Sequence, residues 1–343
     1  IISTYLFYFT CCIRSSIFVS DFFHRKLRTI DNFGFVKGTE VRNILFYGLL
    51  PHLNVFMPIE QYSHLALYVC FFRLLHSGHL FGEQTSEIAN QLIVQFYKDV
   101  EIFYKNSLTF KLHLHLHLSS MYNTHGALCH LGCFIQESLI GFVSDNHHGS
   151  RFHGNSIIHF YNIDFCLHDK KKQNTVVDGP CDPTDTPRNS YGYLKEFHSR
   201  VCGCDHFVLC VKAYRRYIIH QRMYHSLLYT KRQSSISYIV QYISTFNDPK
   251  KRFGIVDLFF ISNGFSYAAI KYYPFKQLYS EFFQGSSYYQ LLKEPIDRLY
   301  FVLDKCYCEL EIVSVERILN HCIVIEKKHY LLVTNILSYN EHD

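Results

Sequence analysis

The sequence predicts an α+β protein, with a mainly helical N-terminal domain followed by a β-rich C-terminal domain built as a small barrel. Three observations support this fold class. Apolar residues recur at helical spacing up to about residue 160, a polar segment follows, and short β-branched and aromatic runs occupy the remainder. These observations divide the chain into four segments: 1–22, 23–166, 167–192 and 193–343.

The first segment, 1–22, is predicted to be an atypical or truncated N-terminal stretch. Its apolar run is interrupted by Arg14, well before the roughly 20 residues that a membrane-spanning helix needs. No membrane association is therefore predicted.

Helical spacing defines the second segment, 23–166. Pro58 suits a first helical turn, and a helix is predicted from there through Leu75. A second helix is predicted to begin at the N-cap Ser86 and to end near Phe103. Further helices are predicted at about 110–122 and about 131–143.

The third segment, 167–192, has Pro, Gly, Asp and Lys without apolar periodicity, so it is predicted to be a polar linker. The fourth segment, 193–343, contains short strand-like runs such as SYIVQYIST, RFGIVDLFFI and HCIVIEK. Turn residues, for example Asn263–Gly264, separate the runs. Strands at this spacing suggest a closed or nearly closed small barrel.

Composition and charge restrict the classes of function. Hydrophobic residues make up 48% of the chain and charged residues 18%, which excludes global disorder. The formal net charge of +5 permits a nucleic-acid partner without requiring one. The sequence has no phosphate-binding loop, dinucleotide fingerprint or G-x-S-x-G elbow, so a kinase, a dehydrogenase or a hydrolase is not predicted.

The 13 cysteines are not arranged as the C-x-x-C knuckles of structural zinc sites. Cys202 and Cys204 form a C-x-C pair, as do Cys306 and Cys308. We predict reduced thiols in a reducing compartment, each a small buried or half-buried hydrophobic residue.

Several short motifs, taken in order, resemble the C-terminal region of CACTA (En/Spm)-type transposases and their animal relatives. The similarity covers most of the chain from residue 23 onward. The matching motifs are RKLR at 25–28, KGTEVR at 37–42, YSH at 62–64, the paired His113 and His117, Glu137 and Gly141, HGS at 148–150, YTKR at 229–232 and EHD at 341–343. Two positions beside the acid depart from the family: Cys129 replaces its Trp and Gln136 its Phe.

The resemblance implies descent from a DNA transposase, an enzyme of metal-dependent phosphoryl transfer. Such enzymes cut DNA with three acidic residues that hold two Mg²⁺ or Mn²⁺ ions. Glu137 would be the third carboxylate, and the first two are expected in a segment upstream of this sequence. A fragment without cleavage activity of its own is therefore expected. The alternative for Glu137 is a helix residue that caps or pairs locally.

A histidine cluster offers a second possible metal site. On a helix His113 and His117 would be neighbours at i,i+4, and with Glu137 they are the predicted metal ligands. His115 lies between them. The alternative is that these histidines pack in the core or form hydrogen bonds between helices.

Basic residues with interleaved tyrosines predict a nucleic-acid surface. Phosphate contacts and base stacking would be its chemistry, and a solvated charged face is the alternative. The candidate residues are Arg25, Lys26 and Arg28, then Lys170, Lys171 and Lys172, and then Arg215 and Arg216 within the run from Lys212 to Arg222.

We therefore expect a transposase-derived, DNA-associated protein of the nucleus that does not cleave DNA alone. Two alternatives stay open. The β-rich domain is a non-catalytic module for a protein or chromatin partner, or the chain is a decaying transposon relic. An SH3-like or bromo-adjacent fold is the expected barrel type, by analogy only.

Overall fold

The computed structural model describes residues 38–78, 80–105, 108–130, 154–155, 158–163, 166, 177–229, 238–244, 250–306 and 309–336, together with residues 17–18. Helices and antiparallel strands are both present, which confirms the α+β class.

The N-terminal part is helical, as predicted. The helix predicted from Pro58 to Leu75 and the helix predicted from Ser86 to Phe103 are both confirmed, the second beginning one residue earlier than expected. The predicted third helix is divided in two at Leu116. The predicted fourth, 131–143, lies outside the described residues. The helices are α1 (Gly38–Asn43), a π-helical turn (Ile44–Gly48), α2 (Leu49–Leu53), α3 (Ile59–His76), α4 (Thr85–Phe103), α5 (Phe110–His115) and α6 (Leu118–His125).

The C-terminal part combines a large sheet with three further helices. The helices are α7 (Tyr191–Val201), the one-turn α8 (Phe207–Cys210) and α9 (Tyr289–Leu299). The strands are β1 (Ile17–Phe18), β2 (Gly179–Thr184), β3 (Val211–Ile219), β4 (Arg222–His225), β5 (Ile239–Ile243), β6 (Lys251–Ser262), β7 (Phe265–Tyr273), β8 (Phe275–Leu278), β9 (Phe301–Leu303), β10 (Leu310–Ser314), β11 (Ile318–Glu326) and β12 (Leu331–Asn335).

The sheet is open. Its main path runs β10-β7-β6-β5-β11-β12-β9-β8, and β3 adds to β6 beside β5. A closed barrel is not confirmed. Among the described strands, the path continues from β11 to β12, β9 and β8, and β8 does not pair with β10. Among the predicted turns, Asn263–Gly264 is confirmed. Both residues have positive φ (50° and 78°) and connect Ser262 to Phe265 across the β6–β7 hairpin.

The segment predicted to be a polar linker contains a strand. β2 pairs with β3 from Gly179 to Thr184. Pro180 and Pro183 lie in β2, and proline is tolerated there because β2 is an edge strand whose described partner is on one side only. Pairing with β3 therefore gives this polar segment a regular structure that its own composition does not indicate.

One hydrophobic core joins the two parts of the chain. The stretch from β8 to β9, which carries α9, is inserted between β7 and β10 of the sheet and packs on α3. The hydroxyl of Tyr62 on α3 forms a hydrogen bond of 2.8 Å with that of Tyr279, and Tyr288 donates to Asp99 on α4 at 2.9 Å. Because these groups are buried or half-buried, the helical part and the sheet form a continuous interior.

Candidate metal centre and nucleic-acid groove

One histidine and three cysteines converge at the start of β3. The ligand-type atoms of His198, Cys202, Cys204 and Cys210 all lie within 4.8 Å of one another. Cys204 Sγ is 3.6 Å from His198 Nε2, 3.5 Å from Cys202 Sγ and 3.4 Å from Cys210 Sγ. His198 is 1% exposed and the cysteines are half-buried, so the cluster lies just below the surface.

Local backbone geometry brings these four side chains together. His198 and Cys202 are one helical turn apart at the end of α7, where the Cys202 amide donates to the His198 carbonyl at 2.8 Å. Gly203 then adopts a left-handed conformation, with φ of 67°, that reverses the chain toward α7. Cys204 follows directly after this reversal.

The fourth side chain comes from α8. Cys210 is its last residue, and the Cys210 amide donates to the His206 carbonyl at 3.1 Å. This single turn returns Cys210 toward Cys204, and β3 begins at the next residue, Val211. The cluster therefore connects the end of a helix to the beginning of a strand.

α7 is held on the outer face of the sheet. Leu194 is fully buried among residues of β6 and β7, and the Phe197 ring makes an edge contact with Tyr267 at 4.9 Å. Tyr193 donates to Asp257 at 3.0 Å, and Asp257 also pairs with Lys271 at 2.6 Å. These contacts fix the position from which His198 faces the cysteines.

The Cys204 and Cys210 thiols have pKa values shifted in opposite directions. The backbone N–H of His206 lowers the pKa of the Cys204 thiol below its ordinary value, and hydrogen bonds from the Cys210 and Cys202 thiols act in the same direction. The contact with Cys204 raises the pKa of the Cys210 thiol to about 11. A thiolate is the form of cysteine that binds metal. The arrangement can therefore enclose one metal ion with sulfur and imidazole ligands.

A groove lies beside the cluster. It has a volume of about 340 Å³ and lies between the end of β2, α8 and the start of β3. Lys212 and Tyr214 of β3 line it together with Tyr191 of α7. Asp185 is an acidic group in the same wall. A cation flanked by aromatic rings is the combination that binds phosphate and stacks on bases.

The two predicted arginines of β3 have different environments. Arg215 is exposed, and within the described residues it forms no ion pair. Arg216 pairs with Asp182 at 2.6 Å and lies 4.8 Å from the centre of the Tyr229 ring. Arg216 therefore has a structural role between β2 and β3, and Arg215 is the arginine available to a ligand.

The other predicted site residues fall into two groups. The first group lies outside the described residues, so its predicted roles stay predictions. It consists of Arg25, Lys26, Arg28, Glu137, Lys170, Lys171 and Lys172. His113 and His117 are exposed, with ring centres 5.3 Å apart, and no third ligand from the described residues joins them. His115 turns inward instead and forms a hydrogen bond of 3.2 Å with Tyr68 of α3.

A smaller pocket lies on the sheet between β5, β7 and β11. Its volume is about 240 Å³, and Tyr238 and Tyr273 line it. Glu326 is in its wall, paired with Lys305 at 2.5 Å. The two tyrosine rings are the groups that could contact a cationic side chain, because Glu326 is already paired with Lys305, which also lines the pocket.

Cysteine pairs alone do not predict the His198 cluster. The spacing is H-x₃-C-x-C-x₅-C, and the available sign was a histidine one helical turn before Cys202 with a further cysteine shortly after Cys204. The prediction that these cysteines are merely small hydrophobic residues does not account for their convergence on one point. All the described cysteines are free of disulfides.

Comparisons with protein-family models, curated proteins and solved structures find no match for this chain. Among the helices in the described part of the chain, none has the length and apolar character required to cross a membrane.

Proposed function

We propose that this chain is a non-catalytic, DNA-associated protein, descended from the C-terminal region of a CACTA-type transposase, that contacts nucleic acid through the groove beside β3. The observation that carries the proposal is the joint presence of Lys212, Tyr214 and Tyr191 in that groove. The motif order described above supports the descent. The predicted basic segments 25–28 and 170–172 would extend the contact.

The groove provides the two kinds of contact that sequence-tolerant binding needs. Lys212 is exposed and, among the described residues, has no acidic partner, so it can bind a phosphate without first breaking an ion pair. Tyr191 and Tyr214 offer ring faces for stacking, worth about 1–3 kcal/mol for each base stacked. Asp185 disfavours phosphate at one end of the groove, which would direct the backbone toward Lys212.

The test is DNA binding by the purified chain across a salt series. Lys212→Ala should weaken binding several-fold at low salt and reduce the salt slope by about 1, since each phosphate contact contributes about 0.9. The matched control is Lys98→Ala, which removes one exposed positive charge from the helical part. A third variant changes Lys170, Lys171 and Lys172 to Ala.

Equal weakening by the groove variant and the control would mean that net charge alone drives binding, and the groove would lose its role. An absence of binding at low salt would overturn DNA association altogether. Strand cleavage by the wild type in Mg²⁺ or Mn²⁺ would contradict the non-catalytic part of the proposal.

A second candidate function is recognition of a cationic side chain by the sheet. Four neighbouring strands of the sheet are, in order, β5, β6, β7 and β10. A 3-10 turn at Val315–Arg317 then leads from β10 into β11, and β11 pairs with β5. This order resembles SH3-like barrels, and the pocket of Tyr238 and Tyr273 lies on it. The test is binding of a trimethyl-lysine peptide, which Tyr238→Ala should abolish and the groove variant should leave unchanged.

A further inference from the structure

We propose that His198, Cys202, Cys204 and Cys210 bind one Zn²⁺ ion in a closed structural site. The proposal concerns a different site from the DNA groove and does not depend on the proposed function. It assigns a single role to four side chains whose ligand-type atoms meet at one point.

The distances match a tetrahedral zinc site. With Zn–S bonds of about 2.3 Å, two sulfurs bound to the same zinc lie about 3.8 Å apart. The observed Sγ separations from Cys204 are 3.4 and 3.5 Å, and its distance to His198 Nε2 is 3.6 Å. Cys204 is thus nearly equidistant from the other three ligand atoms, as one vertex of a tetrahedron is from the others.

The same distances are unsuited to a disulfide. A disulfide has an S–S length of about 2.05 Å and joins two sulfurs only. Here three sulfurs and an imidazole nitrogen share one space, with all pairs within 4.8 Å. A cysteine pair would leave the third thiol and the buried His198 ring without a role.

The ligand chemistry selects zinc among common divalent cations. Thiolates and imidazole are the ligands of Zn²⁺, whereas Mg²⁺ and Ca²⁺ prefer oxygen. Four protein ligands complete a tetrahedron, and no position is left for water or substrate, so the site is structural and not catalytic. Binding replaces three S–H protons: Zn²⁺, three thiols and one neutral imidazole give a complex of net charge −1 and three released protons.

The metal would fasten the end of α7 to the start of β3. Between Cys202 and Cys210 the chain has only the one-turn α8 as regular structure, and its tip exposes Val208 (70%) and Leu209 (76%). Apolar side chains at such exposure give the tip little burial energy of its own. A bound ion supplies the missing tertiary constraint.

The first experiment measures zinc in the full chain, purified under reducing conditions without chelator. We expect about one zinc per chain by elemental analysis. Cys204→Ser and Cys210→Ser should each lower this to less than a tenth, and Cys306→Ser, an exposed cysteine outside the cluster, should leave it unchanged. Zinc contents equal in all four proteins would overturn the assignment.

A second measurement requires no variant, which keeps the proposal testable if a serine variant fails to fold. The wild type is stripped of zinc and titrated with Co²⁺. Three thiolates and one histidine in a tetrahedron should give intense visible d–d bands and sulfur charge-transfer bands that saturate at one equivalent and disappear on adding Zn²⁺. Weak bands typical of octahedral Co²⁺ would refute the site.

Discussion

One buried histidine in the helical half and one in the β-rich half have different partners. In the helical half, His64 is fully buried, its Nε2–H donates to the Phe96 carbonyl at 2.9 Å, and its ring stacks on Phe96. In the β-rich half, His198 is equally buried, but its Nε2 meets the sulfur of Cys204. His64 is therefore satisfied by a backbone carbonyl within the chain, whereas the proposed zinc ion would complete the contacts of His198.

The largest expected effect tests this contrast through zinc-dependent stability. Excess chelator should destabilise the wild type by about 4 kcal/mol or more, a loss typical of removing a structural metal. His198→Gln should abolish this zinc dependence, and His64→Gln should retain it. Urea unfolding with and without zinc measures both. Zinc dependence that survives in His198→Gln would break the contrast between the two halves.

The next effect concerns pH and one buried histidine in each half. Burial lowers the pKa of His321 to about 3 and that of His52 to about 4. Since an unfolded histidine has a pKa near 6.5, the unfolded chain takes up protons that the folded chain does not, and stability present above pH 6.5 is lost as pH falls. Between pH 7 and pH 5, each of the two histidines should lower the free energy of unfolding by about 2 kcal/mol.

Urea unfolding at the two pH values checks this prediction. His321→Gln and His52→Gln should each reduce the pH dependence by about 2 kcal/mol, whatever they do to stability at pH 7. The exposed His113→Gln is the control and should leave the pH dependence unchanged. A wild-type slope that none of the variants alters would show that other groups govern acid sensitivity.

Periodicity predicted those parts of the fold that local sequence determines. α4 has buried residues at helical spacing, Leu92, Phe96 and Val100 among them, and the Asn263–Gly264 pair specifies its own turn. β2 was not predicted, because it is a proline-containing segment made regular by pairing with β3. Local preference gives no information about such a partner.

The candidate metal site was not predicted for a related reason. Its ligands come from the end of α7, a left-handed turn and a one-turn helix, so no single periodicity relates them. The histidine pair that sequence spacing favoured, His113 and His117, lies exposed on the surface. Regular spacing on one element gives neighbouring side chains, but enclosing an ion requires several elements to meet.

A smaller effect is expected where the two halves join. Tyr62→Phe removes a buried hydroxyl that donates to the Leu50 carbonyl at 3.0 Å and bonds to Tyr279. The loss leaves two partners without this contact and should cost about 1–2 kcal/mol. Tyr289→Phe is the control, since its half-buried hydroxyl has no hydrogen bond recorded within the described residues. Equal stability of the two variants would mean that the junction depends on apolar packing alone.

The smallest predicted effect has opposite signs at two glycines, one within the cluster segment and one at the start of α7. Gly203, with φ of 67°, turns the chain after α7, and an alanine there has open space but an unfavourable backbone conformation. Gly203→Ala should therefore destabilise the protein by about 1 kcal/mol. Gly192 is exposed near the start of α7, also with open space, and Gly192→Ala should stabilise by up to about 1 kcal/mol through helix propensity. Neither methyl group touches a neighbour, so the two variants differ in backbone conformation alone. Urea midpoints that shift in the same direction would contradict the role of the left-handed conformation of Gly203 in the turn that precedes Cys204.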